Sequence, residues 1–290
     1  MKVQHFFDTD TSTLSYVIYD EATKDAVVID PVLDFDPPSG KISDTSALRL
    51  IKFIKESGLN IHYILETHAH ADHLSSSQLF KQNFPHSKLG ISKRIKIVQE
   101  VFKKVFNLSD FHADGSDFDF LIEDEVEFKA GSLLIFPIPT PGHTPACTSF
   151  VIGNHVFTGD TLFMPDYGTG RCDFPKGSAS ELYKSVMRLY QLPDETLVFV
   201  GHDYQPNGRE LLFKTTIGES KKKNIQLNSA TNRDQYILFR EARDKTLKAP
   251  RLLLPSLQVN IAAGHLPIQE ENGVSYLKLP LKPILSTGKL

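Results

Sequence analysis

The chain has 290 residues, of which 40% are hydrophobic and 23% charged, which is typical of a soluble protein with one large domain or two smaller ones. Its formal net charge of −3 offers no positive field, so we predict no nucleic-acid partner. Two cysteines, Cys147 and Cys172, cannot form a disulfide framework and favour a reducing compartment. The N-terminus lacks a secretory signal, and no apolar run approaches the about 18 residues of a membrane span. We therefore predict a cytoplasmic protein without a membrane partner.

The first half of the sequence alternates between strand and helix patterns. Two strand-like runs, 14–19 and 26–30, flank a charged turn and predict a β-hairpin. Residues 34–44 are rich in Asp, Pro, Gly and Ser and predict a loop. Further elements follow in order: a helix at 48–54 that stops at Gly58, a buried strand at 61–66, a helix at 76–84, a strand at 88–91 and a helix ending near 106.

The second half is richer in strands. The pattern predicts strands between 118 and 140, a hairpin of 148–152 with 155–158, a helix at 180–190, a strand at 196–200, a turn or helix start at Lys221–Lys223, a helix at 234–247 and Pro-interrupted segments beyond. Two β-rich halves with flanking helices favour a β-sandwich that is covered by helices on both outer faces.

The most informative motif is the run from His68 to His73, which reads His-Ala-His-Ala-Asp-His. Three imidazoles and a carboxylate within six residues are poor core material unless a metal coordinates them. The run follows directly on the buried strand at 61–66, so its ligands stand where a strand gives way to a loop. We therefore predict a metal site. The isolated histidines at 5, 62, 86, 112, 155 and 265 are interpreted as ordinary structural residues.

Three more candidate ligands occupy the same kind of position. His143, Asp160 and His202 each follow a strand-like run and each lies beside a glycine, which permits a tight turn. Because this placement repeats, we expect these side chains to converge with the His68 motif in one metal site.

The set of motifs resembles the metallo-β-lactamase superfamily. The resemblance rests on His68, His70, Asp72 and His73, followed by His143, Asp160 and His202. It implies an α/β fold of the αββα type, in which two mixed β-sheets are flanked by helices and metal lies at one edge. It also implies a single domain over 1–290, with 230–290 as a C-terminal extension similar to that of bacterial members. The fold alone names no reaction.

Finer features resemble the persulfide dioxygenases, the sulfur dioxygenases related to the mitochondrial ethylmalonic-encephalopathy protein. They are the segments 67–73, 141–147, 159–163, 169–174 and 201–204. The resemblance implies one Fe(II) per chain, held by His68, His143 and Asp160, and oxidation of glutathione persulfide by O₂ to sulfite and glutathione. Two imidazoles and one carboxylate leave adjacent positions open on iron. Relatives of this kind also suggest a homodimer.

Alternatives remain open at this stage. Four residues have two interpretations: His70, Asp72, His73 and His202. If one iron binds, they orient its ligands; in a dizinc site, they bind a second metal. The dizinc interpretation corresponds to a thioester hydrolase of the glyoxalase II type or a lactonase. No basic C-terminal glutathione site of that type is recognisable. A non-catalytic binding module is a third class, which leaves the convergence of ligands unexplained.

Substrate contacts are assigned to two residues near these motifs. Arg171 is suited to grip a carboxylate of glutathione, although pairing with Asp173 to brace its own loop is the alternative. Tyr204 is placed to donate a hydrogen bond, with ordinary burial as the alternative. Cys172 stands where the mitochondrial relatives have Thr, and it is a candidate redox thiol or an inert packed side chain.

Overall fold

Most strands belong to two large sheets in the computed structural model, which describes residues 1–281. The strands are β1 (Lys2–Asp8), β2 (Thr13–Tyr19), β3 (Asp25–Ile29), β4 (Val32–Asp36), β5 (Lys41–Ser43), β6 (Asn60–Leu65), β7 (Leu74–Ser75), β8 (Lys88–Ser92), β9 (Phe120–Ile122), β10 (Phe128–Ala130), β11 (Leu133–Pro139), β12 (Thr148–Ile152), β13 (His155–Phe157), β14 (Leu197–Phe199) and β15 (Lys214–Thr216). The helices of these residues are α1 (Thr45–Glu56), α2 (Ser77–Asn83), α3 (Ile95–Val105), α4 (Ala179–Leu189), α5 (Ile217–Lys223), α6 (Arg233–Asp244) and α7 (Leu253–Asn260).

The two large sheets are both mixed. The first has the order β1-β2-β3-β6-β8-β9, antiparallel from β1 to β3 and parallel from β3 to β9. The second runs from β10 to β15 in chain order and is antiparallel except for the parallel pair of β13 and β14. A small sheet of β5, β4 and β7 adjoins them.

The core lies in two layers because the side chains of a strand point alternately to opposite faces. On β2, Leu14, Tyr16 and Ile18 belong to the cluster shared by both sheets, which also holds residues of α4. Val17 belongs instead to a cluster with residues of α1 and α3. The sheets are thus buried on both faces, and the predicted αββα architecture is confirmed.

Four local details differ from the predictions. The region predicted as a loop contains the hairpin of β4 and β5, and an unpredicted strand, β1, pairs with β2 along its whole length. Lys221–Lys223 form the last turn of α5 rather than a helix start, where cations suit the helix dipole. α7 lies in the Pro-interrupted region, and its Pro255 falls within the first turn, where proline is tolerated.

The C-terminal part packs onto the sandwich through α6, which contacts α4, and through α7, which contacts β7. The predicted extension 230–290 is described as far as residue 281, and residues 282–290 of it lie outside the described part. Among the described helices, none has the length and apolar character needed to cross a membrane.

Several strands of both sheets end at the same edge. β13 and β14 are parallel neighbours, and just beyond their ends the N–H of Gly201 donates to the carbonyl oxygen of Gly159 at 3.1 Å. The two sheets are joined there, because the N–H of Thr148 donates to the carbonyl oxygen of Thr67 at 2.9 Å. Residues that follow these strands are therefore brought to one place.

Candidate metal centre

Three side chains converge where the two sheets meet. Ligand atoms of His68, His143 and Asp160 all lie within 4.8 Å of one another, and all three side chains are buried. His68 follows β6 of the first sheet, whereas His143 and Asp160 follow β11 and β13 of the second. We call these three residues the cavity-facing cluster. Its members are the residues that the sequence assigned to one iron ion.

Glycines allow this close approach. Gly159 has a φ of +48°, and a Cβ there would lie 2.5 Å from the Oγ1 atom of Thr67, next to His68. A Cβ on Gly201 would lie 2.8 Å from the backbone of Gly159. A larger residue at Gly159 would push the turn of Asp160 away from that of His68, and one at Gly201 would push the turn of His202 away from that of Asp160.

Hydrogen bonds orient the two imidazoles of the cavity-facing cluster. The Nδ1 atom of His143 lies 2.7 Å from the carbonyl oxygen of Arg171, so Nδ1 carries the proton and Nε2 keeps its lone pair. His68 Nδ1 lies 3.0 Å from the hydroxyl of Thr67, which itself donates to Asp30 at 2.7 Å. Burial and the neighbouring imidazoles lower the pKa of His68 well below its usual value. The lowered pKa keeps the His68 ring in the neutral state that metal binding requires.

The donor atoms of the cavity-facing cluster fit a cation. Within residues 1–281, His68 Nε2 and Asp160 Oδ1 are buried without a hydrogen-bond partner. Buried polar atoms without partners are costly, and a bound metal would satisfy both. Two nitrogen donors and one oxygen donor suit Fe(II) and Zn(II) alike.

A second group of potential ligands lies beside the first. Ligand atoms of His70, Asp72 and His73 are also within 4.8 Å of one another, and we call these residues the loop cluster. His202 lies between the two clusters, because its Nε2 is 3.2 Å from the Oδ2 of Asp72 and 3.2 Å from the Oδ1 of Asp160. All seven ligands predicted from the sequence are therefore neighbours.

His70 also belongs to a third group, formed by Asp30, Glu66 and His70, which we call the interior cluster. Its Nε2 lies 3.0 Å from Asp30 Oδ1 and 3.5 Å from Glu66 Oε2. Although burial opposes the charged form, these carboxylates raise the pKa of His70 well above its usual value. The sequence reasoning missed Asp30 and Glu66, even though each stands at the end of a strand, as the predicted ligands do.

A cavity of about 330 Å³ opens above the cavity-facing cluster, with His143 and Asp160 in its lining. Phe163, Tyr167 and Tyr204 also line it, and the rings of the two tyrosines lie 4.7 Å apart. Desolvation in the cleft, together with Asp160 and Asp72, raises the pKa of Tyr204 well above its usual value, so its phenol stays protonated and can donate.

Arg171 lines the cavity, but its guanidinium is engaged within the protein. Its Nε and Nη2 atoms each donate to a carboxylate oxygen of Asp173 at 2.6 Å, and Nη1 donates to the carbonyl oxygen of Lys248 at 2.8 Å. This is the bracing arrangement that the sequence left as the alternative to substrate binding.

Besides Arg171, the cavity is lined by Arg240, which pairs with Asp244, and by three further cations, Arg243, Lys248 and Arg251. Arg171 pairs with Asp173, whereas these three form no ion pair within the described residues. The sequence reasoning found no basic C-terminal site, so their position at the cavity is a new finding. Their spacing of several residues, interrupted by Pro250, gives no recognisable local motif.

Cys172 is buried beside the cavity wall, where its N–H donates to Asp244 at 2.7 Å. Burial, reinforced by the charge of Asp244, raises the pKa of its thiol. Burial likewise raises the pKa of Cys147 to about 12. Thiols with such raised pKa values are poor nucleophiles at neutral pH, which favours packing over redox chemistry.

Comparisons with known proteins agree with this geometry. Residues 8–202, which include all seven predicted ligands, match the family model of the metallo-β-lactamase superfamily. The chain is 48% identical over 282 residues to glyoxylase B2 of Dictyostelium discoideum, covering 97% of both proteins. It is 32% identical over 205 residues to the mitochondrial persulfide dioxygenase ETHE1 of Homo sapiens, covering 70% of this chain and 68% of that one.

Among solved structures, ETHE1 from Myxococcus xanthus has a TM-score of 0.73 to this chain at 33% identity. The match covers 91% of this chain and 100% of that chain. The family model matches most of the sequence, and the αββα fold and the converging His and Asp side chains agree with it. This chain therefore belongs to the metallo-β-lactamase superfamily and is a metal-dependent enzyme of that family.

Proposed function

We propose that the chain is a persulfide dioxygenase with one Fe(II), which oxidises the outer sulfur of glutathione persulfide with O₂. Glutathione persulfide, O₂ and water then give glutathione, sulfite and protons. The observation that carries this proposal is the cavity-facing cluster, in which two imidazoles and one carboxylate converge at the floor of a cavity. The similarity to proteins named persulfide dioxygenase and ETHE1 supports it.

His68, His143 and Asp160 would hold the iron through the nitrogen and oxygen atoms that face one another. Bound there, Fe(II) would supply the redox chemistry by which O₂ oxidises the persulfide sulfur. The carbonyl of Arg171 and the hydroxyl of Thr67 keep the two rings oriented. His70, Asp72, His73 and His202 then surround the iron ligands and hold protons and water.

The charge of the cavity supports an anionic substrate. Glutathione carries two carboxylates, and Arg243, Lys248 and Arg251 offer cations at the cavity wall. Arg171 donates a hydrogen bond to the carbonyl oxygen of Lys248. We therefore assign it an indirect role, in which it positions Lys248 for contact with the substrate. Tyr204 offers a phenol that donates a hydrogen bond inside the cavity, close to Asp160 and Asp72.

A dizinc hydrolase, of the glyoxalase II type or a lactonase, is the second candidate. The loop cluster and His202 favour it, because they offer ligands for a second ion next to the first. Two Zn(II) ions would lower the pKa of water towards about 7 and so provide a nucleophile. The similarity to glyoxylase B2 agrees with this candidate by name.

One experiment separates these candidates. The full-length protein is purified without added metal, its iron and zinc contents are measured, and it is assayed for O₂ uptake with glutathione persulfide and for hydrolysis of a glutathione thioester. We expect about one iron per chain and O₂ uptake with formation of sulfite. Two zinc ions with thioester hydrolysis would replace the proposal by the second candidate. A chain with neither activity would be a binding module.

We also propose a homodimer in the cytoplasm. The family resemblance supports the dimer, and two free, buried cysteines support a reducing compartment. Sedimentation equilibrium tests the assembly, for which twice the mass of the chain is the expected result.

A further inference from the structure

The amide of Asn260 binds the backbone of the loop that carries His70, Asp72 and His73. Its Nδ2 donates to the carbonyl oxygens of His70 and His73, both at 2.8 Å, and its Oδ1 accepts from the N–H of Ser75 at 2.8 Å. The side chain is 5% exposed. A single buried amide from the C-terminal part of the chain thus meets three backbone groups of this loop.

The loop needs such a partner because residues 66–73 form neither helix nor strand. Backbone carbonyls that are buried outside regular structure must find donors elsewhere. An amide side chain offers two donors and an acceptor at fixed angles, which is what two carbonyls and one N–H require. The His70 and His73 carbonyls are thereby fixed at both ends of the loop cluster.

The helix that carries Asn260 is itself held in place. Leu257 and Ile261 belong to the core cluster of the first sheet. Gln99 of α3 donates to the carbonyl oxygen of Ile261 at 2.8 Å, and Gln78 of α2 donates to that of Ala263 at 2.7 Å. Asn260 is therefore a stationary support, built on two helices of the sandwich.

We propose that Asn260 is a positioning residue that sets the affinity of the metal centre by holding this loop. It lies outside residues 8–202, so the metal-binding geometry of the family segment depends on a side chain beyond that segment. The loop that Asn260 bonds at residues 70 and 73 also carries His68, a proposed ligand for iron and for zinc, so the inference does not depend on which reaction the centre performs. Removing partners that orient ligands typically weakens metal binding roughly 10- to 100-fold.

Gln258 provides a matched control two residues earlier on α7. Its amide also makes three hydrogen bonds to backbone atoms, one to Leu254 and two to Lys278, but none to the metal loop. Asn260→Leu and Gln258→Met each replace a buried amide by an apolar side chain of similar size. The two variants should lose similar thermal stability, because each loses three hydrogen bonds.

The test measures the affinity of the metal-free, full-length protein for Zn(II) by competition with a chelating dye, and the melting temperature alongside. We expect roughly tenfold weaker Zn(II) binding in Asn260→Leu and unchanged binding in Gln258→Met. Equal weakening in both variants, or no weakening in Asn260→Leu, would overturn the proposal.

If Asn260→Leu does not fold, hydrogen exchange on the metal-free wild-type chain decides the matter. If Asn260 rather than metal holds the loop, the N–H of Ser75, which Asn260 accepts, should exchange as slowly in the metal-free protein as the amides of α7. Rapid exchange of the Ser75 amide in the metal-free protein, with protection only after Zn(II) is added, would show that metal rather than Asn260 holds the loop.

Discussion

His143 and His70 are both buried imidazoles beside carboxylates, yet their surroundings differ. The Nδ1 atom of His143 donates a hydrogen bond to the carbonyl oxygen of Arg171, and its Nε2 atom points towards Asp160 and the cavity. His70 directs its Nε2 into the protein, towards Asp30 and Glu66. The cavity-facing cluster therefore presents ligand atoms to the cavity, whereas the interior cluster holds an imidazole between two buried carboxylates.

The largest effect is expected for His143→Ala. Because His143 is one of the three proposed ligands, the purified variant should retain less than roughly a tenth of the wild-type metal and no measurable turnover. The metal-free variant should remain folded and lose less unfolding free energy than Asp30→Asn, although the bond to Arg171 and the packing against Phe174 are lost. His86→Ala, at an exposed site, is the control. Wild-type metal content in the His143 variant would exclude His143 as a ligand.

Asp30→Asn tests the interior cluster, for which we expect a loss of stability. Asp30 accepts the N–H and the hydroxyl of Thr67, both at 2.7 Å, and lies beside His70. Removing one partner of a buried charge pair costs about 3 kcal/mol or more. Urea unfolding of the metal-free protein should show this loss, against roughly 1 kcal/mol for Glu66→Gln. If Asp30→Asn and His143→Ala destabilise the metal-free protein equally, the two clusters do not differ as described.

The smallest effect concerns the cavity wall. The double change Arg243→Gln and Arg251→Gln removes two cations but touches no proposed metal ligand. We expect KM for glutathione persulfide to rise roughly tenfold, with kcat and metal content little changed, because a charge-assisted hydrogen bond is lost from substrate binding. Arg233 lies on α6 with Arg243, but it is exposed and does not line the cavity, so the control variant Arg233→Gln should behave as wild type. An unchanged KM in the double variant would remove these cations from the substrate site.

The sequence predicted what short-range patterns can encode. His68 was predicted as a ligand from its run of closely spaced histidines, and His143, Asp160 and His202 were predicted because each follows a strand-like run. Most helices and strands followed from hydrophobic periodicity over a few residues. The helix α7 escaped this reasoning because apolar residues surround it and Pro255 lies in its first turn.

Partners that are distant in sequence were not predictable in the same way. Asn260 and His70 are separated by 190 residues, and nothing in the local sequence of either indicates the other. Asp30 was assigned to a strand end, but only the parallel pairing of β3 with β6 shows that its carboxylate meets Thr67. Long-range side-chain contacts, rather than secondary structure, are therefore the part that required the structure.

The cavity-facing cluster takes His68 from one sheet and His143 and Asp160 from the other. An ion bound there would link the two sheets of the sandwich through its ligands. Separating the layers would then require release of the ion, so loading should raise the melting temperature in proportion to the logarithm of free metal concentration above the dissociation constant. The same metal ion would therefore determine both whether the enzyme can turn over and how stably its two sheets are held together.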